Sequence, residues 1–177
     1  RMENEVTEGV NLNQVIRESI VMVSGRTLGH QLDETLAEVP EIACMRSRIG
    51  QVVTNLLANA ADALTEQREK AGPEFHGKIA IESKALSHDG NEGVAIIIAD
   101  NGTGVPEAIR EKIFDEFFTT KPAGVGTGLG LAMCASIVRD HGGSLQVKDD
   151  PTLGGARFEV WLPKAAAGVQ RDVPHMH

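Results

Sequence analysis

The sequence of 177 residues is long enough to bury one core, and its hydrophobic share of 41% and charged share of 24% are typical of a globular domain. Its net charge of −8 argues against a general affinity for nucleic acid or anionic membranes, because both need clustered Lys and Arg. No apolar run reaches the roughly 20 residues of a membrane-spanning helix, so we expect no direct membrane contact. Cys44 and Cys134 lack metal-ligand spacing, which predicts buried thiols in a reducing, cytoplasmic compartment.

The N-terminal third of the chain predicts two helices with a strand-like segment between them. Residues 1–9 are polar and charged, as expected for the end of an upstream linker. Apolar residues recur at a helical period over 11–22, with an Asn available as the N-cap, and residues 30–42 follow as the strand-like segment. The longest predicted helix covers 45–67, where one broad apolar stripe faces the core.

A row of polar side chains runs along a second face of this long helix. Gln51, Asn55 and Asn59 recur every four residues, and Asp62 comes three residues later, so they stack on one side. Asn is a poor helix former, which makes such a row unusual. One interpretation is a cleft that reaches a ligand or a hydrated cation such as Mg²⁺, which accepts amide oxygens. The other is a polar face in contact with solvent.

The middle of the chain predicts a pair of strands that ends in a carboxylate. Residues 78–86 alternate apolar and polar, and residues 94–99 are continuously apolar as in a central strand, with an Asp-Gly-Asn loop between them. Asp100 comes next, ahead of Gly102 and Gly104. A carboxylate at this point can accept a hydrogen bond from an amino group such as that of adenine, or it can cap a turn.

The remaining elements predict an α+β fold, in which helices cover one face of a mixed sheet. They are a short helix, a patternless loop, a longer helix and two strands, over residues 106–114, 115–126, 128–141, 144–147 and 156–162. His141 ends the longer helix, where we expect a capping role. The Ala- and Gly-rich residues 165–177 predict a disordered tail.

A glycine-rich stretch, FFTTKPAGVGTGLGL, covers residues 117–131 before the longer helix. A helix N-terminus offers unpaired N–H groups and a positive dipole end, which favour phosphate, and Lys121 adds a positive charge. The spacing of these glycines fits neither the dinucleotide fingerprint nor the Walker loop. The stretch therefore predicts a phosphate cradle of a third kind or a plain hinge.

Four ordered motifs make the chain resemble the ATP-binding domains of histidine kinases. QVVTNLLANAADAL resembles the N box, DNGTGV the G1 box, FDEFFTT the F box and GTGLGL the G2 box. Phe-Phe-Thr-Thr-Lys at the start of the lid is similar to the nitrogen-regulation type of sensor kinase. The resemblance implies a Bergerat-type two-layer α/β sandwich with a mixed sheet, helices on one face and a mobile ATP lid. The catalytic domain would then cover residues 10–164.

The resemblance also implies what individual residues do toward ATP and Mg²⁺. Asn59 matches the Mg²⁺-coordinating asparagine, Asn55 a further position on the phosphate side, and Asp100 the aspartate that binds the adenine amino group. Lys121 is the candidate for the γ-phosphate contact. The other implied nucleotide-binding positions are Asp62, Gly102, Gly104, Val105, Phe118, Thr120, Gly126, Thr127, Gly128, Leu129 and Gly130. The implied lid anchors are Phe114, Phe117 and Phe118.

Three departures from the family pattern bear on the expected activity. Relatives such as gyrase that hydrolyse ATP place a Glu one turn before the metal-binding asparagine, where this chain has Asn55, which implies slow hydrolysis. Many histidine kinases carry a Lys or Arg just after that asparagine, and residues 60–63 here include none, which implies a less basic phosphate site. No His lies in the His-Glu or His-Asp setting of a phosphoacceptor helix.

The function implied by the resemblance is transfer of the γ-phosphate of ATP to a histidine on a separate dimerisation and phosphoacceptor domain. A response regulator would act downstream, and no nucleic acid would be involved. A serine protein kinase of the anti-sigma-factor type is one alternative. A non-catalytic interaction module that responds to nucleotide is another.

Overall fold

A computed structural model of the chain describes residues 5–118 and 130–165. This part of the chain contains both strands and α-helices, and from the second strand onward the strands come in pairs. In chain order they are β1 Thr7–Val10, α1 Leu12–Met22, α2 Ser24–Thr27, β2 Gln31–Leu36, β3 Ile42–Cys44, α3 Arg46–Ala71, β4 Lys78–Ala85, β5 Gly93–Asp100, α4 Gly130–Asp140, β6 Ser144–Asp149 and β7 Ala156–Pro163. None of the described helices is both long and apolar enough to cross a membrane.

Five strands form a mixed sheet in the order β2-β4-β5-β7-β6. β2 runs parallel to β4, and the other neighbours are antiparallel. The central strand is β5, as its continuous apolar run predicts, and every one of its residues is buried. Asp89 and Gly90 both have positive φ, 49° and 79°, as the tight turn of the predicted β4–β5 hairpin requires.

The core lies between one face of this sheet and the helices α1, α3 and α4. It contains alternate residues of β5 (Val94, Ile96 and Ile98), which point to the helical layer. On the opposite face Ile97 of β5 pairs with Glu82 and Glu159, so charged residues flank it there. The α+β fold with helices on one face is therefore confirmed. The predicted mobile lid falls mostly within residues 119–129, outside the described residues.

Two of the predicted helices agree well with the structure. α1 begins at Leu12, and Asn11 caps it by accepting hydrogen bonds from the backbone N–H groups of Asn13 at 3.0 Å and Gln14 at 3.4 Å. α3 runs four residues beyond the predicted end at residue 67 and stops before Gly72, whose φ is +93°. Glycine adopts this conformation without strain, which explains the end of the helix.

The predicted helix over 106–114 is wrong. This segment forms two 3₁₀ turns, Glu107–Ile109 and Lys112–Phe114, in which Ile113 is the one buried residue. A helix of this length needs an apolar face to stabilise it, and a single buried side chain does not provide one.

The N-terminal strand β1 pairs antiparallel with β3, matching Thr7 with Cys44 and Val10 with Ile42. The predicted boundary between linker and domain at residue 10 therefore falls at the last residue of a strand. On its other side β3 reaches the end of β7, because the Ala43 N–H donates to the Lys164 carbonyl at 2.9 Å. The two ends of the described chain thus meet at β3.

His141 connects the end of α4 to the start of α3. Its Nδ1 lies 2.7 Å from the Ile137 carbonyl in the last turn of α4, and its Nε2 accepts a hydrogen bond from the Met45 N–H at 3.0 Å. Because Nε2 accepts, the proton of the neutral ring lies on Nδ1, which donates to Ile137. The predicted capping role is confirmed, and the same ring fixes how α4 lies against α3.

Cys44 and Cys134 are buried free thiols, as predicted. Burial raises the pKa of each to about 11, which keeps both protonated at neutral pH.

Candidate functional site

Asp100 is a buried carboxylate at the end of the central strand. Its side chain is 2% exposed, and Oδ1 accepts hydrogen bonds from the N–H of Gly102 at 2.8 Å and, more weakly, from that of Ala156 at 3.4 Å. Within residues 5–118 and 130–165 no hydrogen bond to Oδ2 is found. Asp100 therefore keeps one oxygen for a further donor.

Burial raises the pKa of Asp100 to about 6. The N–H groups of Gly102 and Ala156 partly offset this shift, and the charge of Asp150 adds to it. At neutral pH the side chain is still ionised, so it acts as an acceptor. A buried anion with few partners is costly to fold, which is typical of a functional carboxylate.

Two glycines bring the loop after β5 into close contact with its surroundings. A Cβ on Gly102 would lie 3.1 Å from both the Cβ and the carbonyl oxygen of Ala63 on α3. A Cβ on Gly155, in the turn before β7, would lie 2.5 Å from Asp100 Oδ1 and 2.7 Å from the Gly102 nitrogen. These contacts place the Asp100 loop directly against α3 at Ala63.

The predicted polar row on α3 lies beside this loop and beside α4. Asn55 and Asn59 are half-buried, whereas Gln51 is exposed. The Cys134 thiol, one turn into α4, donates to the Val52 carbonyl of α3 at 3.9 Å, and the neighbouring Asn55 side chain partly offsets the rise in its pKa. The start of α4 at Gly130 therefore lies near this end of the row. With a rise of about 1.5 Å per residue, Asn59 is about 6 Å along α3 from Ala63, and Asn55 about 12 Å. The row therefore connects the Asp100 loop to the N-terminus of α4.

Asp62, at the end of the row, forms an ion pair with Arg26 of α2, with its Oδ1 2.7 Å from the guanidinium. This partner was not predicted, because 36 residues separate the two in sequence. Gly155 was also missed, because the sequence places it only between the last two predicted strands. The sequence does show a glycine in the turn before β7. Only the register of β7 with β5 shows that this glycine lies against Asp100.

The other predicted residues in the described part have less direct evidence for a ligand contact. Gly104 has a φ of +75°, which glycine adopts readily, and the Val105 carbonyl accepts a hydrogen bond from Arg110 Nε at 3.2 Å. Phe118 packs against the core, as does Phe114. Phe117 is 70% exposed, and its role as a lid anchor stays a prediction.

Six of the predicted residues lie outside the described residues, and their roles stay predictions. They are Thr120, Lys121, Gly126, Thr127, Gly128 and Leu129.

Residues 45–166 match the sequence model of the family described as "Histidine kinase-, DNA gyrase B-, and HSP90-like ATPase". The chain belongs to this family. Membership implies ATP binding, and it confirms the family predicted from the four motifs. Among curated relatives, nitrogen regulation protein NtrY of Azorhizobium caulinodans is 32% identical over 172 residues, which are 93% of this chain and 21% of NtrY. The histidine-protein kinase AtoS of Escherichia coli is 36% identical over 164 residues, which are 91% of this chain and 24% of AtoS.

Solved structures agree with this assignment. The nucleotide-free catalytic domain of histidine kinase ThkA superposes with a TM-score of 0.75 at 32% identity, over 92% of this chain and 97% of that one. ThkA in complex with the response regulator protein TrrA gives a TM-score of 0.68 at 31% identity, over 90% of this chain and 42% of that one. The chain is thus a catalytic ATPase domain of the kind found in sensor histidine kinases. It spans about a third or less of the length of the curated relatives that it matches.

Proposed function

We propose that this domain binds ATP with Mg²⁺ in the cleft between α3, α4 and the loop after β5. It then transfers the γ-phosphoryl group to a histidine on a separate dimerisation and phosphoacceptor domain of a longer, cytoplasmic-facing sensor kinase. The observation that carries the proposal is the buried Asp100 carboxylate, with a free acceptor oxygen at one end of a half-buried row of carboxamides.

The residues of the cleft suit an adenine nucleotide. Asp100 accepts a hydrogen bond from the exocyclic amine of adenine through its remaining oxygen. Gly102, Gly104 and Val105 form the loop beside the base, with Phe118 packed near by. A site that hydrogen-bonds this amine discriminates strongly against a base without it, because a buried carboxylate would be left unpaired.

The other end of the cleft suits the phosphates and the metal. The Asn59 amide oxygen is the proposed Mg²⁺ ligand, and Asn55 contacts the phosphate side. The N–H groups at the start of α4 from Gly130, together with Gly126, Thr127, Gly128 and Leu129, donate to phosphate oxygens, and Thr120 and Lys121 contact the terminal phosphate. ATP supplies the phosphoryl group, and Mg²⁺ neutralises its charge. The domain contributes binding, orientation and charge neutralisation.

The chemistry of the row favours transfer to a protein side chain over hydrolysis. An amide at position 55 orients a group but does not remove a proton from water. Of the carboxylates described along the row, Asp62 is paired with Arg26, and Asp100 is buried at the adenine end. The nucleophilic histidine and its base therefore come from the phosphoacceptor domain. The complex of ThkA with TrrA supports a response regulator as the next acceptor.

Calorimetric titration of ATP, with and without Mg²⁺, tests the binding step. Wild-type protein should bind ATP, Asp100→Asn should abolish detectable binding, and Asp33→Asn should match the wild type. Asp33 is an exposed carboxylate on β2, so its replacement makes the same change of charge away from the cleft. ATP binding that Asp100→Asn leaves intact would contradict the assigned adenine site.

Incubation with γ-labelled ATP tests the transfer step. The domain alone should stay unlabelled, and the polypeptide encoded upstream of it in the parent protein should become labelled when it is added. An acid-labile, alkali-stable label on histidine supports the proposal. An acid-stable label on serine of a partner would indicate the anti-sigma-factor type of kinase, and absence of ATP binding would indicate an interaction module. Phosphohistidine on the domain alone would refute transfer to a separate domain.

A further inference from the structure

Beside the proposed nucleotide site, α3 and α2 are joined by an ion pair that the proposed function does not use. Arg26 of α2 holds its guanidinium 2.7 Å from Asp62 Oδ1, and their side chains are 57% and 29% exposed. Exposed ion pairs of this kind contribute little to stability. Its position beside the proposed site is therefore of more interest than its strength.

In the proposed site, the ion pair lies along α3 between Ala63 at the adenine end and Asn59, the proposed Mg²⁺ ligand. Asp62 precedes Ala63, the α3 residue in contact with the Asp100 loop, and follows Asn59 by three residues. At about 100° per residue, Asp62 lies about 60° around the helix from Asn59 and about 20° from Asn55. It therefore belongs to the same face of α3 as both amides. The guanidinium of Arg26, bound to Asp62, lies on that face too.

This face of α3 otherwise lacks positive charge along its middle. Between Arg48 and Arg68 the helix contains no Lys or Arg, while Asp62 contributes a negative charge. An unneutralised carboxylate there would repel the phosphates of a nucleotide. Arg26 offsets that charge, and a guanidinium has five N–H donors. Within the described residues, the Arg26 guanidinium uses one donor group on Asp62 and makes no other hydrogen bond.

We propose that Arg26 is a nucleotide-binding residue, which donates to phosphate oxygens near the ribose end, and that Asp62 is its positioning residue. The inference rests on the proposed function, because its ligand is the nucleotide of that site. A side chain from α2 thus replaces the basic residue that residues 60–63 lack. The short helix α2 would have a role in binding and not only in connecting α1 to β2.

Titration of ATP, ADP and adenosine against single and double variants tests the inference. Arg26→Ala should weaken ATP and ADP about fivefold and leave adenosine unchanged, because the lost contact is to phosphate. Asp62→Asn should cause a smaller loss, since the guanidinium remains but is held less firmly. The double variant should bind no better than Arg26→Ala. Arg17→Ala is the matched control, because it removes an exposed arginine from α1, and it should behave as wild type.

Three outcomes would overturn the inference. Equal ATP affinity in Arg26→Ala and wild type would exclude the contact. Recovery of wild-type affinity in the double variant would mean that Arg26 only neutralises Asp62. An equal loss for adenosine would indicate a structural effect. In each of these cases wild-type protein still binds ATP, so the proposed function stands, whereas a wild type that binds neither ATP nor ADP would refute both.

Discussion

Replacing Asp100 by Asn should stabilise the folded domain at neutral pH while it removes adenine recognition. The side chain is 2% exposed, and burial raises its pKa from an ordinary value of 3.8 to about 6. Between these two values the folded state binds the additional proton, so the free energy of unfolding falls as the pH rises through this interval. Above about pH 6 the free energy of unfolding falls no further from this cause. At about 1.36 kcal/mol per pKa unit, the difference between 3.8 and about 6 corresponds to about 3 kcal/mol.

Asn keeps the shape of the side chain and an oxygen to accept from the Gly102 N–H, but it carries no charge. We therefore expect Asp100→Asn to raise the free energy of unfolding by about 3 kcal/mol at pH 7.5. The gain should shrink to about 1 kcal/mol at pH 4.5, because the folded wild type is then protonated at Asp100 and only the cost of taking up that proton remains. Urea unfolding of both proteins at the two pH values measures this difference. Asp33→Asn, at an exposed site, should change stability by less than about 0.5 kcal/mol.

A destabilised Asp100→Asn variant at pH 7.5 would refute the reasoning, as would a gain that is the same at both pH values. The nucleotide provides a second test. Because Oδ1 accepts from two backbone N–H groups, a proton on Asp100 occupies Oδ2, and that oxygen then donates and no longer accepts from the adenine amine. With a pKa of about 6, wild-type affinity for ATP should be about tenfold weaker at pH 5 than at pH 8. Adenosine, which has no phosphate to titrate, should show the same dependence if Asp100 is its origin.

Three further predictions concern two buried contacts and the proposed metal ligand. Gly155→Ala should lower the free energy of unfolding by more than about 2 kcal/mol, because its Cβ would collide with the Asp100 carboxylate. Urea unfolding measures this loss, and Gly25→Ala, whose Cβ meets nothing within 4 Å, should show none. Ser83→Ala should cost about 1–2 kcal/mol in thermal unfolding, because the buried Ser83 hydroxyl donates to Asn13 Oδ1 at 2.6 Å; an unchanged midpoint would contradict this. Asn59→Ala should remove the gain in ATP affinity on adding Mg²⁺, about tenfold, and should leave binding in EDTA unchanged. If Mg²⁺ still raises the ATP affinity of Asn59→Ala as much as that of the wild type, another residue binds the metal.

The polar row on α3 shows how far the sequence leads toward the site. Its period of four already predicts that Asn55, Asn59 and Asp62 share one face, because the geometry of a helix is local. The sequence leaves open whether that face meets a cleft or solvent. The structure supplies the neighbours, with the Asp100 loop at Ala63 and Cys134 of α4 at Asn55. Only contacts between distant segments distinguish the two interpretations.

For residues 106–114, by contrast, the local sequence pattern predicts the wrong structure. The pattern, with Pro at the start, favours a helix, but the segment buries only Ile113 and forms two 3₁₀ turns. Local propensity is weak, and tertiary packing decides when little apolar surface is available.

The sequence by itself determined the family, the α+β fold and the order of the elements, because ordered motifs and hydrophobic periods are properties of neighbouring residues. It also placed Asp100 at the end of a central strand, since a continuous apolar run that stops at a carboxylate is typical of a buried strand that ends beside a polar loop. Tertiary structure alone decided that Gly155 packs against Asp100 and that Arg26 pairs with Asp62. The register of β7 with β5 brings the turn before β7 to the end of β5. The packing of α2 against α3 brings Arg26 to Asp62. Contacts of that kind depend on how elements assemble in space, and no spacing along the chain encodes them.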